Sequence, residues 1–393
     1  MGQFIIVLRD FVFGVLNLFI KKESKSIMFI PHENCKVDRY DIFSYTSDNV
    51  LMVLHQALFD ERFSDYLFFI VYFEQKELSN YHKYIDDANI SKRIKWVYRF
   101  SNEFYFSLLR CKICLTDHAH YDFQFKTNSQ KFISLGYFTP FKDDFFVVKK
   151  KTKLYRSILS VKNNRSFDNY IVTSSIAGRI ISIDSFLSFE KFLPLGHPRN
   201  DVFYEEYSSR RARLLNMLGF NTNTSIFCYT PTFRDYERKD LRQFDNTLAK
   251  EKTILGHLSK SQEEMVESTL NQCNSIILAK MHPWQQQDII EKNKDKRIIL
   301  FDEIQSLGFS LYDILAMSDC LITDYTSTAF DFLHSNKPII YYFYDYDLYV
   351  KSRGFSFTPI ESVCGGPIAY SCQDLIKEIL DISSGHDVYS QKR

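Results

Sequence analysis

Apolar residues fall along this chain in short runs of strand length, separated by stretches with helical spacing. Residues 26–31 (SIMFIP), 66–73, 94–99 (IKWVYR), 111–116 and 131–137 (KFISLGY) each read as a buried strand. Between them, Ser47 to Phe59 places Val50, Val53, Leu54 and Leu58 on one helical face, and 76–87 and 101–109 also read as helices. Residues 170–173 restart the pattern and a helix follows from about Ala177. FLPLGHPRND (192–201) then interrupts it with two prolines and a glycine. Beyond the break, strands are predicted at 225–233 (SIFCYTPTF), 275–283 (SIILAKMHP), 297–302 (RIILFD) and 337–345 (KPIIYYFYD), with helices over 260–273, 311–318 and 373–381. Strands alternating with helices predict βαβ units and parallel sheets. The expected fold class is therefore α/β, in two halves of similar size. The expected divisions are an apolar N-terminal helix over 1–22, a first domain over 23–190 and a second over 191–393.

One stretch concentrates polar chemistry at the end of a buried strand. Residues 319–336 read DCLITDYTSTAFDFLHSN. Cys320, Leu321 and Ile322 end a strand, and Thr326, Ser327 and Thr328 open a helix carrying Ala329, Phe330, Phe332 and Leu333. A helix start leaves backbone N–H groups unpaired and favours an anion, so hydroxyls beside it suit a phosphate. The plainer alternative is that Asp324 or Thr326 simply caps the helix. Two further clusters fall at strand ends: Thr230 to Asp235 (TPTFRD) and Lys280 to Pro283 (KMHP). Ligands of parallel sheets bind at the carboxyl ends of strands, so three such clusters predict a phosphate-bearing ligand. Arg234, Lys280 and His282 supply charge and donors, Ser327, Thr328 and the amides after Thr326 supply the cradle, and Thr232 of the TPTFRD cluster is a further donor-binding candidate.

Composition narrows the choices. Of 393 residues, 45% are apolar, enough for two cores, and Lys plus Arg (49) nearly balances Asp plus Glu (48), so no global charge points to nucleic acid. Local basic clusters, Lys149 to Lys151 with Lys153 and Arg210, Arg211 and Arg213, read as solvated helix faces. With 12 glycines the chain contains neither G-x-G-x-x-G nor G-x-x-x-x-G-K-[ST], which disfavours a dehydrogenase, a kinase or a P-loop ATPase. Eight cysteines, mostly in apolar runs, fit reduced core thiols. Cys111 and Cys114 have C-x-x-C spacing with His118 and His120 beyond, yet strand alternation puts the two thiols on opposite faces, so no metal is expected. Asp345-Tyr346-Asp347 reads as a loop after a strand rather than a metal site. Residues 4–20 are strongly apolar but span only about 25 Å as a helix, short of a ~30 Å hydrocarbon core. No signal-peptide pattern surrounds them. They read either as an interfacial helix on a membrane, with Lys21 and Lys22 near the headgroups, or as a helix packed on the protein's own core; the first is preferred.

Four motifs together resemble the CDP-glycerol glycerophosphotransferase family of teichoic-acid and capsule enzymes: LGHPRND (195–201), YTPTFRD (229–235), KMHPW (280–284) and ITDYTSTAFDF (322–332). KPIIYYFYDYDLYVKSRGF (337–355) and GGPIAYSCQDL (365–375) extend the resemblance, which covers about 192 to 375. It implies two Rossmann-like domains of glycosyltransferase-B type with an interdomain cleft. It also implies a CDP-linked polyol phosphate donor, used without a metal or other cofactor. Carried over residue by residue, His282 contacts the donor phosphates and Thr326 and Ser327 cradle them. Arg234 and Asp324 fall in the same site, Gly196 and Arg199 in the motif leading into it, and Asp331 is structural.

The N-terminal half departs from the family. Where the family carries W-H-G-T-P-L-K, with its histidine as the expected base, this chain has Gly136-Tyr137-Phe138-Thr139-Pro140-Phe141-Lys142. Tyrosine, with a reference pKa of about 10, is a poor base at neutral pH. His118 or His120 could replace it, Tyr137 could serve with a lowered pKa, or the mechanism could differ, in that order. The expected activity is transfer of a polyol phosphate, glycerol phosphate first, to a hydroxyl of a surface polymer or its lipid-linked precursor, with release of CMP. The expected place is the cytoplasm, on the inner face of the plasma membrane, with no nucleic-acid partner. The alternatives are a sugar-nucleotide glycosyltransferase of the same fold and a nucleotide-binding partner protein that has lost catalysis.

Overall fold

The computed structural model describes residues 12–31, 49–73, 88–117, 126–136, 139–141, 152–232, 254–256, 258–280, 297–352 and 354–393. The chain forms two compact units. Unit 1 comprises Met1–Thr139 and Phe145–Asp201, and unit 2 comprises Pro140–Asp144 and Val202–Arg393. The division drawn from the sequence fell at 190/191; the strand Phe192–Leu193 beyond that point pairs with Tyr170 and Ile171 in the first sheet.

Among the described residues unit 1 is built on seven strands: β1 (Glu23–Ile30), β2 (Leu67–Tyr72), β3 (Ile94–Tyr98), β4 (Cys111–Thr116), β5 (Lys131–Ser134), β6 (Asn169–Ile171) and β7 (Phe192–Leu193). Their order is β3-β2-β1-β4-β5-β6-β7, and every pairing is parallel. A parallel sheet is covered on both faces, which is why its strands read as continuous apolar runs. The pleat sorts them: Ile27, Phe29, Phe68 and Ile70 join one core cluster, and Met28, Ile30, Phe69 and Val71 the other. The helix Asn49–Phe59 covers the first face with Val50, Leu51, Leu54 and Leu58. The helix Asn102–Arg110 covers the second with Phe104, Leu108 and Leu109, and Ser101 caps it by accepting from Phe104 N. The predicted strand to residue 137 stops at Ser134, because Gly136 turns the backbone to φ +68°.

Unit 2 is built on β8 (Ser225–Thr230), β9 (Ser275–Ala279), β10 (Ile298–Leu300), β11 (Cys320–Thr323), β12 (Ile339–Tyr342) and β13 (Ile368–Ala369). The order is β10-β9-β8-β11-β12-β13, again parallel throughout. The helices Lys260–Gln272 and Cys372–Ser383 cover one face, placing Val266, Leu270, Leu375 and Ile379 on Phe227, Ile277, Ile322 and Ile340. Both begin with reciprocal capping boxes, Ser259 with Gln262 and Ser371 with Asp374. The strand expected over 225–233 ends at Thr230, before Pro231, which has no N–H for the ladder. The strand expected over 297–302 is only Ile298–Leu300; Phe301–Ser306 is a helix whose Phe301 and Ile304 are buried.

Two surface expectations change. Arg211 is not a solvated charge: it donates to Met317 O, to Thr224 O at 2.8 Å and to Asp319 Oδ2 at 2.7 Å. Arg210 pairs with the buried Asp313 at 3.0 Å. The apolar N-terminus is described as a helix over 12–19. One face packs inward, with Phe13 stacked on Tyr105 at 4.8 Å and buried Asn17 donating to Gln130 Oε1 at 2.8 Å. The other exposes Val12, Val15, Leu16, Leu18 and Phe19. No helix of the described residues is long and apolar enough to cross a membrane.

Candidate functional site

In unit 2 the chain runs from β8 outward to β9 and β10 on one side, and to β11, β12 and β13 on the other. The crevice between β8 and β11, at their carboxyl ends, is the topological switch point where open α/β sheets bind ligands. Thr230 ends β8 and Thr323 ends β11, and the two are register partners. The Thr323 hydroxyl donates to Thr230 O at 2.8 Å, and the two hydroxyl oxygens lie 3.1 Å apart. One step further, Asp324 Oδ1 accepts from Thr232 N at 2.8 Å and from Tyr325 N at 2.6 Å.

Asp324 is thus a clamp between the two strand ends rather than a helix cap. The helix itself runs Thr328–Phe332, and Ser327 at its N-cap makes no side-chain capping bond. Five residues carry only a small macrodipole, so the helix field contributes little at this end of the sheet. From Cys320 to Ala329 every residue is buried except Thr326, Ser327 and Thr328, which are half-buried. The Thr326 and Thr328 hydroxyls lie 3.1 Å apart. The stretch therefore presents three hydroxyl side chains on an otherwise closed surface.

Rigid packing supports this cradle. Tyr325 is fully buried, stacks on Tyr349 at 3.9 Å and donates its hydroxyl to Asp345 Oδ1 at 3.2 Å. Asp345 immediately precedes the helix Tyr346–Ser352, so the D-x-D spacing marks a helix start and not a free loop. Asp331 accepts the Tyr312 hydroxyl at 2.6 Å, tying the cradle helix to Leu311–Met317. Lys280 follows β9; its N donates to Tyr229 O at 2.8 Å, and its ammonium lies 5.1 Å from the Phe301 ring centroid.

Unit 1 has a polar cluster of its own at strand ends. Asn49, fully buried at the start of its helix, gathers three segments. Its N donates to Asp117 Oδ2 at 3.2 Å, its Nδ2 to Gly136 O at 2.6 Å, and its Oδ1 accepts from Arg199 N at 3.1 Å. Arg199 is buried, and Gly196 takes φ +83° with its N donating to Val172 O at 3.0 Å. Gly196 and Arg199 therefore belong to unit 1, whereas Thr232, Lys280, Asp324, Thr326, Ser327 and Thr328 belong to unit 2. Sequence reasoning missed Asn49, Asp117 and His197. His197 is buried, and its Nε2 lies 2.9 Å from where a Cβ on Gly136 would stand. It was legible only as a member of the LGHPRND run.

His282, Arg234, Tyr137, His118 and His120 lie outside the described residues. Cys111 and Cys114 are both core thiols in β4; burial pushes Cys111 up to about 12 and Cys114 well above the usual thiol range. Among the described residues no group of three or more His, Cys, Asp or Glu could hold a metal ion.

Two parallel α/β units, one with a hydroxyl-lined switch point clamped by a carboxylate, are the parts of a fold of glycosyltransferase-B type. The solved structure of the wall teichoic acid polymerase TagF shares this fold, with a TM-score of 0.71 and 19% identity over 100% of this chain and 90% of that one. A family model described as CDP-Glycerol:Poly(glycerophosphate) glycerophosphotransferase matches residues 39–393, and the chain belongs to this family. The match thus extends through the N-terminal half, beyond the motifs at 192–375. The teichoic acid glycerol-phosphate primase of Bacillus subtilis (strain 168) is 28% identical over 215 residues, 54% of this chain and 49% of that protein. The teichoic acid poly(glycerol phosphate) polymerase of Staphylococcus epidermidis is 24% identical over 379 residues, 92% of this chain and 50% of that protein. The chain therefore spans about half the length of these curated relatives.

Proposed function

We propose that this protein transfers a polyol phosphate, glycerol phosphate first among the candidates, from a CDP-linked donor to a hydroxyl of a cell-envelope polymer or its lipid-linked precursor. The observation that carries the reading is the hydroxyl cradle at the unit 2 switch point, Thr326 to Thr328 beside the Asp324 clamp, in a chain of this family. The acceptor oxygen attacks the distal phosphorus of the donor. The bond from that phosphorus to the bridging oxygen breaks, and CMP leaves with the electron pair. The acceptor proton passes to a base, for which His118, His120 and Tyr137 are the candidates. The half-buried hydroxyls of Thr326, Ser327 and Thr328 hold the diphosphate, with Arg234, Lys280 and His282 supplying charge and donors. Thr232 and Asp324 fix the geometry of the cradle, and Gly196 and Arg199 shape the unit 1 motif. A variant of TagF has been solved after a soak with CDPG, which supports a CDP-linked donor for this family. The test is release of CMP from CDP-glycerol by purified protein; loss of release in His282→Ala and retention in a surface control support the reading, and unchanged release in His282→Ala removes His282 from it.

The helix over 12–19 supports a place on the inner face of the plasma membrane. Its outer face exposes Leu18 and Phe19 at 73% and 83%. Lys21 and Lys22 follow, lining a cavity of about 510 Å³ with Ile20, Glu23, Ser24 and Arg110; Lys22 Nζ turns back to donate to Asn17 O and Ile20 O at 2.9 Å each, so the exposed Lys21 is the one to meet the headgroups. Apolar residues at the acyl boundary with lysines at the headgroups are the pattern of an interfacial helix. Sedimentation with vesicles containing anionic lipid tests this: Leu18→Glu with Phe19→Glu should abolish binding, and equal binding by that variant would refute it.

A further inference from the structure

We infer that Phe141 is a positioning residue for the transfer reaction, an aromatic peg that fixes the hydroxyl cradle from beneath. The inference rests on the proposed function and deepens it. Phe141 does not come from the unit whose core it fills by way of a strand or helix. The chain up to Thr139 belongs to unit 1, where Gly136 O takes the Asn49 amide at 2.6 Å and the Thr139 and Thr173 hydroxyls lie 3.0 Å apart. The next five residues, Pro140–Asp144, belong to unit 2.

There Phe141 is 1% exposed. Its ring lies 5.3 Å from Phe330, stacks on Tyr341 at 6.2 Å and 18°, and meets Phe355 edge-on at 6.4 Å. Its carbonyl accepts from Ser356 N at 3.1 Å. Each partner leads to the cradle. Phe330 lies in the helix that Thr328 opens. Phe355 lies 5.3 Å from Tyr325, the neighbour of the Asp324 clamp. Tyr341 pairs in register with Thr323. A helix of five residues has little cohesion of its own, so its orientation is set by what packs beneath it.

Phe141 stands at the leucine of the stretch that resembles the family's W-H-G-T-P-L-K, one residue before Lys142. Loss of the ring therefore removes the packing beneath the cradle helix. Misplacement of a reacting group by about 1 Å costs on the order of a hundredfold in rate.

Phe141→Ala and Phe141→Leu test the inference in the full chain, with one readout that does not depend on how much protein is folded and a second read relative to exchange in peptides covering β11, 320–323. The first is the ratio of acceptor transfer to donor hydrolysis with CDP-glycerol, since water attacks the same phosphorus and releases the same CMP. The second is hydrogen exchange in peptides covering 325–332. Phe141→Ala should lower the ratio and speed that exchange, each by about tenfold or more, and Phe141→Leu should restore both to within about threefold. If Phe141→Ala only lowers the melting temperature and leaves both readouts unchanged, the residue is a core filler and the inference is wrong. If the wild type releases no CMP from CDP-glycerol or CDP-ribitol, the proposed function fails, and the exchange readout then decides the inference by itself.

Discussion

Asp324→Ala removes the acceptor that joins β8 to β11. Its Oδ1 takes Thr232 N at 2.8 Å and Tyr325 N at 2.6 Å, and the carboxylate is 1% exposed. Alanine leaves two backbone donors without this acceptor, at roughly 1–3 kcal/mol for each buried group. The sum, roughly 2–6 kcal/mol, is a large part of the roughly 5–15 kcal/mol that holds a domain folded. In a unit of this size that lowers the melting temperature by at least about 4 °C. Asparagine keeps a carbonyl oxygen in the same place and loses only the assistance of the charge, so Asp324→Asn should fall by less than half as much. Thermal melts of the two variants beside the wild type, followed by near-ultraviolet circular dichroism, measure the difference. Two results would refute the clamp: Asp324→Ala melting within about 1 °C of wild type, or the two variants melting alike.

Other residues give equally direct outcomes. Asn49→Ala breaks the bonds to Gly136 O and from Arg199 N in a fully buried setting, and should cost roughly 2–4 kcal/mol in urea unfolding. Gly136→Ala places a Cβ at 2.5 Å from Ile171 O and 2.9 Å from His197 Nε2 at φ +68°, so it should destabilise by more than about 1 kcal/mol, whereas Gly219→Ala, at φ +80° with open space around it, carries only the backbone strain. Burial pushes the thiols of Cys111, Cys228 and Cys364 up to about 12. The unfolded chain then loses these protons first, so stability should be fully present below pH ~9 and decline as pH rises from there through about 12. Melts across that range check the decline, and a flat profile contradicts it. The same thiols should react with an aromatic disulfide reagent only after unfolding.

Much of the scaffold was legible because parallel strands buried on both faces announce themselves as apolar runs. The strand ends were less so. Pro231 and the Gly136 turn cut two strands short, and Phe301 and Ile304 bury a helical face where an apolar run suggested strand. The cluster of polar residues after Cys320, Leu321 and Ile322 was legible, but its division into buried Thr323 and Asp324 and half-buried Thr326, Ser327 and Thr328 was not. Nor was the clamp, because Asp324 meets Thr232 across 92 residues and the sequence offered only the local alternative, a helix cap. Asn49 is hidden for the same reason, joining Gly136 at a separation of 87 residues and Arg199 at 150. Phe141 looked like one aromatic among 37 phenylalanines; its place in unit 2 appears only when the chain is folded.

The central claim is the donor class, and a donor screen with CMP or UDP release as the readout tests it most directly. Purified protein offered CDP-glycerol, CDP-ribitol and UDP-sugars with a polyol-phosphate-primed acceptor should release CMP from a CDP-polyol, with the acceptor gaining one phosphate for each CMP. Release of UDP from a UDP-sugar, with the CDP-polyols left intact, would contradict the account and make the protein a sugar-nucleotide glycosyltransferase of the same fold.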